Sequence, residues 1–199
     1  MVFSMPRVTA LVVSSCFAAG LNVYATVATL GLLGRMQAIE LPPSLDVLTH
    51  WPVIGISFAL YLIEFVADKI PGIDLVWNAL QTFVRVPAAA LFAYAAAARL
   101  SPAEQLMTAS LGGVVALVAH GGKTAARMAV TPSPEPFSNI ALSLGEDAAA
   151  VFIVWLAGRH PYWAAAIVAV AIVSIFALTR AVVRAARALF SGARRQLRA

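Results

Sequence analysis

Long apolar runs separated by short polar stretches dominate this chain. Residues 8–34 hold 27 positions without a charge, bounded by Arg7 and Arg35. That exceeds the about 20 residues an α-helix needs to cross a bilayer. Residues 52–65, 75–98, 105–122, 136–158 and 162–179 repeat the pattern. The expected architecture is an all-α integral membrane protein with about six transmembrane helices, some of them broken or re-entrant. Gly20 and Asn22 interrupt the first run, which predicts a bend or close packing by a neighbour.

The breaks carry their own signals. Pro42-Pro43 and Pro71-Gly72 mark turns. Ser101-Pro102-Ala103-Glu104 reads as an N-cap, a proline at the first helical position and an acid in the first turn. Ser138 or Asn139 can cap the fifth run, and His160-Pro161 ends it. Tyr162 and Trp163 stand where aromatic side chains meet the membrane interface. An N-terminal signal peptide is the competing reading of the first run, but the apolar stretch continues far past Cys16.

Composition supports the membrane reading. The 199 residues are 61% hydrophobic and 12% charged, and the mean hydropathy is +0.87. Soluble domains are about 45–50% apolar and about 25% charged. The single cysteine excludes an internal disulfide. The net charge of +5 gathers at the ends of the runs and in the tail, so no nucleic-acid partner is expected. Residues 1–179 form one membrane domain, and residues 180–199 a basic tail with six arginines. Placing that tail in the cytoplasm, with six spans, puts both termini there and satisfies the positive-inside rule. The chain is expected in a bacterial inner membrane as a homo-oligomer, with anionic lipid as the partner of the tail.

A shift of 61 residues superposes Pro71 on Pro132, Asp74 on Glu135, Asn78 on Asn139 and Arg85 on Glu146. Residues 52–98 and 113–158 therefore read as two hairpin repeats. Transporters built from repeats place their sites at the repeat interface.

Charges inside apolar runs are the candidate chemistry. A charge at mid-membrane costs about 2.5–3.5 kcal/mol on insertion scales and is kept for a partner or a pathway. Arg85 is expected to oppose Glu146 and Asp147, either as a gated pair or as a salt bridge that joins two helices. The second carboxylate would be free to titrate or to bind a cation. Glu64, Asp68, Lys69 and Asp74 cluster at the end of the second run, where Glu64 and Asp68, four residues apart on one helical face, could ligate a hard cation, or the cluster is a solvated helix end. His120, Lys123 and Arg127 could hold a phosphate or carboxylate, or lie in an ordinary basic cluster, and His120 by itself, after an apolar run, reads as a hydrogen-bonded packing residue. No Cys-x-x-Cys, His-Glu-x-x-His, Gly-x-Ser-x-Gly or Walker pattern occurs, so neither an enzyme nor a cofactor is expected.

The motifs Glu64-x-x-x-Asp68-Lys69-Ile70-Pro71-x-x-Asp74, Arg85-x-Pro87, His120-x-x-Lys123-x-x-x-Arg127 and Ser143-x-x-Glu146-Asp147 resemble those of domain-of-unknown-function family 4126. The resemblance runs from about residue 20 to residue 158. It implies a small polytopic membrane protein and singles out those residues, but supplies no substrate. Lys69-Ile70-Pro71-Gly72 is also similar to part of the re-entrant loop of DedA-type lipid transporters. The functional expectation is a small permease or flippase for an ion or an anionic lipid or solute, with a non-transporting membrane scaffold or assembly factor as the alternative.

Overall fold

The computed structural model describes residues 5–70, 72–130 and 136–196, without the side chains of residues 74, 75, 128–130, 136, 138, 139, 182 and 185–196. Seven α-helices are present among them: α1 (Met5–Leu21), α2 (Val23–Arg35), α3 (Trp51–Ala67), α4 (Ile73–Ala96), α5 (Pro102–Val130), α6 (Pro136–Arg159) and α7 (Pro161–Gln196). A 3₁₀ segment, Pro43–Thr49, precedes α3. No strand occurs among the described residues.

The centre of the molecule is α1. Every residue from Ala10 to Gly20 except Val13 is buried, and the helix packs against α4, α5, α6 and α7. A helix apolar all round belongs in a core. Small residues let the helices approach. A Cβ on Gly20 would run into the Ala116 carbonyl oxygen and, at 2.7 Å, the Ala119 Cβ. One on Gly112 would stand 2.6 Å from the Ala93 Cβ and 2.9 Å from the Cys16 Sγ. Contacts of this kind are how helices pack where lipid removes the hydrophobic drive between them.

The outer faces are apolar. Phe83 of α4 is 80% exposed and Met107 of α5 72%, far more apolar surface than a water-soluble molecule presents. Among the described residues, four helices are long and apolar enough to cross a membrane: Val76–Ala96, Pro102–Arg127, Ile140–Arg159 and Pro161–Ala181. The 3₁₀ segment and α3, bent by 63° to one another, make a fifth if counted as one broken span. The protein is a multi-pass membrane protein.

Three expectations change. The first run is two helices of 17 and 13 residues, each shorter than a full crossing. The break is Asn22, whose backbone is extended (φ −152°, ψ 104°) and whose side-chain oxygen accepts the Ala25 N–H at 2.9 Å. That is an N-cap made inside an apolar run. Second, α6 already begins at Pro136, ahead of the expected caps at Ser138 and Asn139. Third, the helices of each expected hairpin repeat, α3 with α4 and α5 with α6, touch each other little, whereas α4 packs extensively on α5. The basic tail is continuous with α7 as far as Gln196.

Other signals match. Ser101 and Glu104 form a reciprocal cap on α5. The Ser101 N–H donates to Glu104 Oε2 at 3.0 Å, the Ser101 hydroxyl at 2.7 Å, and the Glu104 N–H returns to Ser101 Oγ at 3.4 Å. Gly72 has φ +87°, the left-handed geometry that suits glycine.

Candidate functional site

Four helices each turn one polar stripe inward. On α4, Asn78, Gln81, Thr82 and Arg85 recur at helical spacing. Asn78, Gln81 and Arg85 are fully or nearly fully buried. On α5 the stripe is His120, Lys123 and Arg127, all buried. On α6 it is Ser143, Glu146 and Asp147. Helix α3 contributes Glu64 and, at its C-cap, Asp68. Arg85 lies near the middle of α4 and Glu146 near the middle of α6.

These side chains form one ion-pair network. Arg85 pairs with Glu64. Lys123 Nζ lies 3.0 Å from Asp68, 3.3 Å from Glu146 and 3.6 Å from Glu64. Arg127 donates to Asp68 Oδ2 at 2.9 Å, to the Asp68 carbonyl at 3.1 Å and to Glu146 Oε2 at 2.7 Å. The expected opposition of Arg85 to Glu146 and Asp147 is thereby corrected. Arg85 is held by Glu64, while Glu146 is held by Arg127 and Lys123. The reason is azimuthal. Arg85 turns toward α3 and α5, where the Glu64 carboxylate and the His120 ring meet it.

Backbone groups complete the network at the α1–α2 break. Arg85 Nη1 donates to the Gly20 carbonyl at 3.3 Å, and Lys123 to the Leu21 carbonyl at 3.2 Å. A helix end leaves such carbonyls without intrahelical partners, and here two cations take them up. Asn22 acts on both sides. While its oxygen caps α2, its Nδ2 donates to Asp147 Oδ1 at 2.8 Å.

The His120 ring has a defined orientation. Its Nδ1 lies 3.0 Å from Arg85 Nη1 and its Nε2 2.8 Å from Thr82 Oγ1. A guanidinium only donates, so Nδ1 accepts and the ring proton sits on Nε2. The Thr82 hydroxyl then donates its own hydrogen bond to the Asn78 carbonyl, 3.3 Å away. His120 is thus a hydrogen-bonded strut behind Arg85, not an anion ligand.

Four buried carboxyl groups face three buried cations among the described residues. Each carboxyl keeps one buried oxygen without a hydrogen-bond partner there: Glu64 Oε2, Asp68 Oδ1, Glu146 Oε1 and Asp147 Oδ2. Buried polar atoms are ordinarily satisfied. The arrangement therefore has unused acceptor capacity suited to a proton or a small cation. No group of three or more acid, histidine or cysteine side chains placed to hold a metal ion occurs among the described residues. Glu64 and Asp68, the two acids expected to ligate a hard cation, are instead held by Arg85, Lys123 and Arg127. Lys69 stands at the rim, donates to the Phe65 carbonyl at 2.8 Å and lies over the Phe65 ring. Partial burial pulls its ammonium below the usual lysine range, against the pull of Asp147 and Asp68.

The side chains of Asp74 and Asn139, both expected site residues, lie outside the described ones, as do Pro132 and Glu135 of the expected repeat. Asn22, Thr82, Gln81 and Ser143 were not among the expected site residues, although the motif around Glu146 and Asp147 already includes Ser143. Gln81 reaches Tyr24 of α2, donating at 3.2 Å. Three of the four stand three or four residues from a buried charge on their own helix, and that spacing was the available signal.

No curated protein and no solved structure matches the chain. A family model described as Domain of unknown function (DUF4126) matches residues 9–181, which include every side chain of the network, and the chain belongs to that family.

Proposed function

We propose that the protein is transporter-like, a small permease or flippase whose working part is the buried network of Glu64, Asp68, Arg85, Lys123, Arg127 and Glu146. The observation that carries this reading is that, among the described residues, each of its three buried acids keeps an oxygen without a hydrogen-bond partner although three buried cations match them, and a fourth buried carboxyl, Asp147, lies beside them. Ionisable groups within membrane helices commonly line ion and proton pathways. Sequence alone left an ion or an anionic lipid or solute open. The excess of carboxyl groups favours a proton or another cation over an anion.

The arginine-bearing end of α7 is placed in the cytoplasm of a bacterial inner membrane, where Arg180 and Arg184 are exposed to anionic lipid. Four crossings, like six, keep the N-terminus on the same side, whereas a fifth through the 3₁₀ segment and α3 would put it on the other. A homo-oligomer remains part of the proposal. The competing reading is a non-transporting scaffold or assembly factor. It draws on the pairing itself, since Lys123 reaches three acids and needs no substrate for neutralisation.

The test is cation uptake by proteoliposomes under an imposed inside-negative potential, with a trapped pH-sensitive dye for protons and parallel assays for sodium and potassium. Wild-type protein should carry at least one of these above empty vesicles, and Glu146→Gln should bring that flux down by about tenfold or more. Background flux from wild-type protein for all three ions, or an unaffected Glu146→Gln, would favour the scaffold.

A further inference from the structure

Asp147 does not belong to the ion-pair network beside it. Its one hydrogen bond comes from Asn22 at 2.8 Å, and no cation lies within ion-pair distance of it among the described residues. The residue is only 5% exposed, yet Oδ2 has no partner there. Asp147 also lines an open groove of about 550 Å³ between α3 and α6. Asp147, Val151 and Trp155 follow one another at four-residue spacing along α6, so they form a single stripe. Phe152 stands beside them, and Tyr61 of α3 closes the other side. The Phe152 and Trp155 rings are 5.9 Å apart, while the Tyr61 ring lies tilted against those of Phe58 and Phe65. Val151, Phe152 and Trp155 are between 41% and 50% exposed. On a membrane helix that surface faces lipid.

We propose that this groove is a binding site for a lipophilic organic cation, an ammonium or similar group on an apolar body, which enters from the lipid. The apolar body lies along Val151 and the aromatic rings, and the positive centre pairs with Asp147. Charge complementarity selects the occupant. A carboxylate without an ion-pair partner among the described residues, at the inner end of an apolar groove, repels an anion and gives an uncharged lipid nothing to pair with it. Aromatic faces add attraction for an organic cation, and more where water is excluded. Asn22 holds the carboxyl by one oxygen, and the other, buried beside the groove, has no hydrogen-bond partner among the described residues. The site goes beyond the transport reading and does not rest on it, because a cation can bind here whether or not the neighbouring network moves anything.

The probe is radiolabelled tetraphenylphosphonium, bound at equilibrium to the purified full-length protein in an uncharged detergent. Saturable binding is expected in the wild type. Asp147→Asn should weaken it by at least about tenfold, Asp147→Glu should retain it, and Trp155→Leu should weaken it by a smaller factor. Tetraphenylborate, of the same shape and opposite charge, should not compete. A carbodiimide should label Asp147, and the phosphonium should protect it. No saturable binding to wild-type protein, or equal binding by a folded Asp147→Asn, overturns the proposal. If Asp147→Asn does not fold, Trp155→Leu and the carbodiimide protection decide, and failure of either result overturns it. Ion flux plays no part in this readout, so the site and the transport reading fail separately.

Discussion

Arg85 and Glu64 are fully buried, and neither is tolerable alone. Removing one partner leaves an uncompensated charge, at a cost of about 3–5 kcal/mol, whereas replacing both is often nearly neutral. Arg85→Met and Glu64→Gln should each lower the thermal unfolding midpoint of the purified protein strongly. The double variant should unfold at a higher temperature than either single one. Additive losses would mean that the two do not depend on each other. Which residue types carry the chemistry was legible at this scale, because charges are conspicuous in apolar runs. Their pairing was not. Arg85 coincides with Glu146 in the 61-residue shift, but its partner is set by the direction in which α4 faces. That depends on how α4 packs against α5 and α1, which spacing along one chain does not encode.

At the scale of elements, the decisive feature is the interruption between α1 and α2. Asn22 caps α2 and anchors Asp147 with the same amide. Asn22→Ala should cost about 0.5–2 kcal/mol for the cap, with the lost bond to Asp147 added to it. A lower unfolding midpoint on heating would show this, and an unchanged one would count against the dual role. The packing glycines separate in the same assay. Gly20→Val places side-chain atoms against Ala116 and Ala119 and should destabilise strongly. A Cβ at Gly121 meets nothing within 4 Å, so Gly121→Ala should be neutral or stabilise by up to about 1 kcal/mol through helix propensity. Helices α4 to α7 were legible from their apolar runs, and the α5 cap from Ser101 and Glu104. The split of the first run was only half legible. Asn22 marks the spot, but an asparagine in an apolar run bends, packs or breaks a helix according to what lies opposite. Here Asp147 lies opposite.

For the whole molecule, α1 is an apolar axis ringed by α4 to α7, and the polar stripes of α3, α4, α5 and α6 meet beside its C-terminal end. Two carbonyls at that end accept from Arg85 and Lys123. The network therefore joins helices far apart in sequence and would couple any movement among them. Such an arrangement could serve cohesion alone or ion movement, and one comparison separates the two. The double variant Arg85→Met with Glu64→Gln removes the ion pair while avoiding an unpaired buried charge. It should be reconstituted beside the wild type, and uptake of the ion that the wild type carries should be measured under the same potential. A folded protein with flux no greater than that of empty vesicles is expected. Wild-type flux from that variant would contradict it.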